Sequence, residues 1–141
     1  MPEQKTLSNS PSEVVVNSIN AMNAWEIFCY ERARKVQGTD KSESEWAKFH
    51  SELLSIHSFY LTPRKRVYAE QVTFQKPPGY DASKESVISS VIEWRTAIVQ
   101  TKRGMVLRGG QFQYKLRLID SSWRIDNLKK LVNETWKPWL F

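Results

Sequence analysis

Residues 112–125 read FQYKLRLIDSSWRI, and their pattern is that of two strands joined by a turn. Apolar residues alternate with polar ones from Phe112 to Leu118, which is the pattern of a strand with one face buried and the other facing solvent. Asp120 and the two serines after it predict a turn. Trp123 then begins a returning strand that extends to Leu131. The stretch therefore predicts two antiparallel strands, the second of them the last in the sheet.

Further strands are predicted before this pair. Residues 67–76 alternate in the same way. The β-branched run at 87–101 is too long for one ordinary strand, so we expect a bend or bulge at Ser89 and Ser90. Residues 102–104 predict a short hairpin loop whose glycine supplies the positive φ. The second half of the chain is thus predicted to form an antiparallel sheet.

Two amphipathic helices are predicted before the sheet. Ser10 can cap the first helix, Pro11 suits its first position, and Gly38 follows its last apolar residue. The second helix begins at Ser42 with capping-box spacing and ends before Pro63. The first apolar stripe comprises Val15, Ile19, Met22, Trp25, Cys29, Ala33 and Val36, and the second Trp46, Phe49, Leu53, Ile56 and Tyr60.

Helices followed by strands define an α+β protein in which a helical hairpin packs on one face of the sheet. The first nine residues are polar, so we expect residues 1–9 to be disordered and residues 10–141 to form one domain. A helical domain with a separate hairpin is the alternative. It is less favoured because neither part could close its own core.

Composition and charge exclude several classes of protein. No apolar run could span a membrane, the N-terminus lacks the apolar core of a secretory signal, and a single cysteine cannot form an internal disulfide. We therefore expect a cytoplasmic protein. Residues 1–60 carry six Lys/Arg and eight Asp/Glu, whereas residues 61–141 carry fifteen and seven. The basic character of the chain thus lies in the predicted sheet, where it could attract an acidic protein or a nucleic acid. A mildly basic, solvated surface without a ligand is the alternative.

Cofactor and metal chemistry are not predicted. His50 and His57 lie seven residues apart on one helix, about 10 Å along its axis, too far to share a metal ion. We expect one to flank the core and the other to be partly exposed. Cys29 lies in a buried stripe, where a small core residue is the better interpretation than a nucleophile. No glycine-rich phosphate loop or serine nucleophile motif is present.

A general acid–base pair is the enzymatic alternative that the residues leave open. A carboxylate facing a helix–sheet cavity would have a raised pKa and could abstract a proton from a substrate. The candidates for such a site are Tyr30, Tyr68, Tyr114, Glu93 and Asp126. Nothing in their spacing brings any two of them together.

Aromatic residues suggest binding. Trp25 and Trp46 fall on helical stripes and are expected in the core. Trp, Tyr and Arg dominate binding hot spots, and the strands offer a contact face of Trp94, Arg95, Lys115, Arg117 and Trp123. The closing residues 136–141 contain Trp136 and Trp139, which either pack back over the helix–sheet mouth or form an interface for a second chain.

The order of elements resembles the cone-shaped nuclear transport factor 2-like fold, a cystatin-like roll. Within that superfamily three short motifs are similar to bacterial immunity proteins of polymorphic toxin systems. These motifs are residues 22–30, which begin MNAWE and end with Cys29-Tyr30, then Tyr114-Lys115-Leu116, and Trp123-Arg124-Ile125-Asp126. The resemblance covers nearly the whole chain from Ser10 onward.

The resemblance implies a protein that binds and silences a cognate toxin, without a cofactor and without catalysis. The expected partner-binding residues are the contact face above with Trp136 and Trp139, and the expected cavity-lining residues are Trp25, Tyr30, Tyr68 and Tyr114. A homodimer is an open alternative, and a nucleic acid partner is not expected. The superfamily also contains ketosteroid isomerases and polyketide cyclases, so a small isomerase, lyase or cyclase is the alternative function. The helix histidines match no catalytic pattern of those enzymes.

Overall fold

Two long helices precede five strands in the computed structural model, which describes residues 10–63, 84–104 and 110–139. The sheet is antiparallel throughout and its strands follow chain order, β1-β2-β3-β4-β5. The predicted strand at 67–76, with Tyr68, lies outside the described residues. The elements are α1 (Pro11–Val36), α2 (Ser42–Tyr60), β1 (Glu85–Glu93), β2 (Thr96–Arg103), β3 (Gly110–Ile119), β4 (Ser122–Val132) and β5 (Thr135–Pro138).

The first helix begins and ends as predicted. The Ser10 side chain accepts a hydrogen bond from the Glu13 backbone N–H at 3.4 Å, and Pro11 opens the helix. Gly38 has φ +78°, the left-handed conformation expected just after a helix C-terminus. The predicted stripe from Val15 to Val36 is buried except for Ala33, which is partly buried. Local sequence alone therefore accounts for α1.

The second helix corrects two predictions. Its N-cap is Lys41, with no side-chain cap, so the predicted capping box at Ser42 is wrong. The Glu45 carboxylate accepts instead from Arg32 of α1 at 3.1 Å, because an Arg–carboxylate pair is stronger than a backbone cap. Trp46 was predicted in the core, yet it is 38% exposed, with its ring edge-on to Phe49.

The β-branched run at 87–101 is a hairpin rather than one bent strand. Trp94 and Arg95 form a two-residue turn between β1 and β2, and a bulge lies between Val87 and Ser89, close to the predicted position. The predicted loop at 102–104 is wrong. Strand β2 continues to Arg103, and Gly104, whose φ is not positive, donates its N–H to the Lys84 carbonyl at 2.8 Å.

The turn after β3 is confirmed, but the strand that follows it is not the last. Asp120 and Ser121 have φ +48° and +66°, as a tight hairpin turn requires. Strand β4 then turns at Asn133 and Glu134 into β5, which contains Trp136. Residues 135–138 of the closing segment are thus paired with β4 at the edge of the sheet.

The helices cover one face of the sheet, which confirms the α+β arrangement. Alternate residues of β2 and β3 face inward and are buried with the stripes of both helices. The Trp25 indole N–H joins α1 to α2 by donating to the Phe49 carbonyl at 3.1 Å. Leu61 bridges to Ile125, so the end of α2 is fixed to β4. The opposite face of the sheet carries no helix among the described residues.

Candidate partner-binding surface

The candidate site is the sheet face turned away from the helices, which we call the outer face. Alternation along β3 buries Tyr114 and Leu116 and leaves Lys115 and Arg117 on the opposite side, both exposed. Strand register sets Arg117 between Thr96 of β2 and Arg124 of β4. Lys115 and Arg117 therefore lie on the middle strand of the sheet, where any partner covering the outer face must meet them.

The outer face is cationic. By register its basic residues are Lys102, Lys115, Arg117, Arg124 and Lys129. Arg124 donates to the Ser58 carbonyl at 2.7 Å, whereas Lys115 and Arg117 make no hydrogen bond or ion pair within the described ranges. Among the described residues, the acidic ones near this face are Glu93, at the end of β1, and Asp126, whose carboxylate accepts from the Thr62 hydroxyl at 2.8 Å. The face therefore offers unpaired positive charge to a partner.

The β1–β2 turn lies at one end of the outer face. Trp94 is 88% exposed and has φ +58°. The Leu118 N–H donates to the Arg95 carbonyl at 2.9 Å, and the Thr96 hydroxyl donates to the Glu93 carbonyl at 3.0 Å. These bonds fix the turn against the end of β3, next to Arg117.

The structure brings together four of the predicted contact residues and separates the other three. Trp94 and Arg95 lie in the β1–β2 turn, close to the end of β3 that carries Lys115 and Arg117. Trp123 is only 8% exposed and pairs with Leu118, because the alternation of β4 turns it inward; its expected place on the contact face is corrected to the core.

The two tryptophans near the C-terminus lie at the far edge of the sheet. Trp136 is half-buried on β5, opposite Leu131, and Trp139 is 47% exposed with the Lys130 ammonium 4.6 Å from its ring. Four strand spacings, roughly 19 Å, separate β5 from β1. Only a partner that spans the sheet could contact both Trp94 and Trp136.

A buried charged network, which the sequence did not predict, lies under the opposite face. The Glu85 carboxylate accepts from the Thr101 hydroxyl at 2.5 Å and from the Tyr114 hydroxyl at 2.9 Å. Its other oxygen accepts from Arg103 Nε at 3.0 Å and Nη2 at 2.9 Å. The Arg103 guanidinium also stacks over Phe112, 4.2 Å from the ring centre.

This arrangement suits a structural ion pair better than a proton acceptor. Four donors already occupy the two oxygens of Glu85, and Arg103 supplies the opposite charge. Among the predicted cavity-lining residues, Tyr114 belongs to this network and Trp25 joins the two helices. Tyr30 is half-buried on α1 beneath Arg34.

The described side chains considered for nucleophilic or metal chemistry are Cys29, His50 and His57. Burial, with smaller contributions from Glu52 and Glu26, raises the pKa of Cys29 to about 12, so its thiol stays protonated at neutral pH. His57 is buried and His50 exposed, as predicted. Within the described parts of the chain no three His, Cys, Asp or Glu side chains form a group that could hold a metal ion.

A groove of about 390 Å³ lies between α1 and α2, and none of the residues that line it belongs to the Glu85 network. Phe28 and Phe49 line it. Hydrogen bonds from Arg32 lower the pKa of Glu45 at its rim, and Lys48 lies 3.7 Å from the same carboxylate. Much of the charge at this groove is therefore paired within the chain, unlike that of the outer face. Neither described helix has an apolar stretch long enough to cross a membrane.

Comparison with known proteins agrees with this architecture. Neither the curated proteins nor the solved structures contain a match to the chain. Residues 10–139 match the model of a family described as NTF2 fold immunity protein, which covers both helices and all five strands. The chain belongs to the family of NTF2 fold immunity proteins.

Proposed function

We propose that this chain is an immunity protein that binds a cognate toxin and neutralises it by protein–protein contact on the outer face. Membership of the family supports the role. The outer face is chosen because Lys115 and Arg117 are exposed on the middle strand and have no partner in the described ranges. In this proposal the chain acts without catalysis and without a cofactor.

The charge of the outer face specifies the chemistry of the toxin surface. A cation that a partner covers loses its hydration and is destabilised unless a carboxylate or a similar acceptor replaces the water. Two neighbouring cations on β3 therefore require an acidic surface on the toxin. Charge complementarity of this kind also raises the association rate and excludes basic partners. A nuclease, whose substrate-binding surface is usually basic, is not favoured as the toxin.

Catalysis in a cavity is the alternative, and one observation favours it. Glu85 is a buried carboxylate beside Tyr114, a combination that acid–base enzymes use. Its ion pair with Arg103 opposes that role, because removing a proton from a substrate would require breaking the buried pair. The groove between the helices contains none of these residues. Binding therefore accounts for the structure better than catalysis.

We place this activity in the cytoplasm. The single cysteine is a buried free thiol, which suits a reducing compartment. A homodimer stays a prediction, and the acidic toxin partner proposed here does not depend on it.

Survival of toxin-producing cells tests the proposed function. The probe is the C-terminal domain of the toxin encoded upstream of this chain, expressed from an inducible promoter. We expect cells that express the domain alone to die and cells that co-express this chain to survive, because the bound chain blocks the toxin. Co-purification of the two proteins, measured by gel filtration, should give one complex.

A matched charge change separates binding from a general effect on expression. Lys35 and Lys41 are exposed on the helical side of the protein. The variant Lys35→Glu/Lys41→Glu should protect as well as the wild type. Death of the co-expressing cells, together with the absence of any complex, would refute the proposed function.

A further inference from the structure

The backbone of Trp94 is in a conformation that tryptophan rarely adopts. Its φ of +58° lies in the left-handed region, where a bulky side chain crowds the following carbonyl. Trp94 is the first of two turn residues, and of the pair it alone has a positive φ. This is the φ pattern of a type II′ hairpin turn, in which the first of the two central residues is usually glycine.

The fold gains little from this tryptophan. Its side chain is 88% exposed, so it contributes almost no burial to the core. The hydrogen bonds that hold the turn come from backbone groups, the Thr96 hydroxyl and the Arg95 guanidinium, which donates to the Leu118 carbonyl at 3.5 Å, and none requires an indole. A strained residue that stabilises nothing inside the chain points to a role outside it.

The surroundings of Trp94 indicate what it contacts. On β1, Val91 is 59% exposed and lies on the outer face opposite Ile98 of β2, so an apolar pair of side chains lies close to the turn, whereas Ile92 points to the other face. On the other side lie Arg95 and Arg117, both exposed cations. The partner surface that fits this arrangement is an apolar pocket bordered by carboxylates.

We propose that Trp94 is the anchor residue of the toxin interface, inserted into an apolar pocket of the toxin beside the acidic surface that covers Lys115 and Arg117. This inference rests on the proposed function. The indole is already held out from the sheet by a rigid turn, so little side-chain and loop entropy is lost on binding. The strain of the turn is the cost of holding it there.

The substitution Trp94→Gly tests the inference because stability and binding should change in opposite directions. Glycine adopts positive φ without strain, so the melting temperature should stay the same or rise by a few degrees. Loss of the anchor should weaken binding to the purified toxin domain about 30-fold or more, measured by calorimetry. Trp94→Phe, which keeps an apolar ring, should retain much of the affinity.

Glu134→Gly is the matched control. Glu134 is exposed and has φ +65° in the β4–β5 turn, at the opposite end of the sheet. Its replacement relieves the same kind of strain and should leave affinity unchanged. Affinity of Trp94→Gly within about threefold of the wild type would overturn the anchor role while leaving the proposed function intact. A wild-type chain that does not bind the toxin domain would overturn both.

Discussion

Replacing Glu85 with Gln should lower the free energy of unfolding by about 3–5 kcal/mol, which is a large share of the stability of a domain of this size. Glutamine has nearly the same shape, but it removes the carboxylate that is paired with the buried Arg103 guanidinium. Arg103 is only 9% exposed, so water cannot replace the lost carboxylate. Urea denaturation followed by tryptophan fluorescence measures the change.

Removal of the neutral donors provides the control for this prediction. Tyr114→Phe and Thr101→Val each delete one hydroxyl that donates to Glu85. Each should cost about 1–2 kcal/mol, because the ion pair survives and one hydrogen bond is lost. The double variant Glu85→Leu/Arg103→Met should be more stable than Glu85→Gln, since both charges of the buried pair are removed together. A loss below about 1 kcal/mol for Glu85→Gln would show that water reaches the guanidinium.

Reversing the charge at the middle of the outer face should abolish toxin binding. In Lys115→Glu/Arg117→Glu two attractive contacts become repulsive against the acidic toxin surface, which costs several kcal/mol. We expect the dissociation constant to rise at least about 100-fold, measured by calorimetry. Both residues are exposed and without hydrogen bonds or ion pairs inside the described ranges, so circular dichroism should show an unchanged fold.

The dependence of toxin affinity on salt concentration is a second test of the same electrostatic attraction. Binding of the wild type should weaken as the salt concentration increases, because salt screens the attraction between exposed charges. The variant Lys35→Glu/Lys41→Glu has the same net charge as the outer-face variant and should bind like the wild type. Equal losses in the two variants would mean that total charge, rather than the outer face, controls binding.

The helices and the central strand pair could be predicted from sequence because their signals are local. Ser10, Pro11 and Gly38 mark α1, and the alternation from Phe112 to Leu118 marks the buried face of β3. The β1–β2 turn gave no such signal. Because Trp94 and Arg95 are not turn formers, the pattern of residues 87–101 predicted one long strand with a bend at Ser89 and Ser90 instead of a hairpin. Trp94, which made the turn unrecognisable in the sequence, is also the residue that we propose contacts the toxin.

Burial of charge and of aromatic rings depends on contacts that are distant in sequence. Glu85 is buried because Thr101, Arg103 and Tyr114 meet it from two neighbouring strands, between 16 and 29 residues further along the chain. No local pattern contains that information. Trp123 and Trp46 were misplaced for a related reason: periodicity finds a stripe, but packing decides which of its members are covered.

Zero-length cross-linking of the complex identifies the face of the chain that contacts the toxin. A carbodiimide joins a lysine amine to a carboxylate in contact with it, and mass spectrometry then identifies the pair. If the outer face binds the toxin, cross-links should form from Lys102, Lys115 and Lys129 to Asp or Glu of the toxin domain. Cross-links that arise only from Lys35, Lys41 and Lys48 would contradict it and assign the interface to the helices.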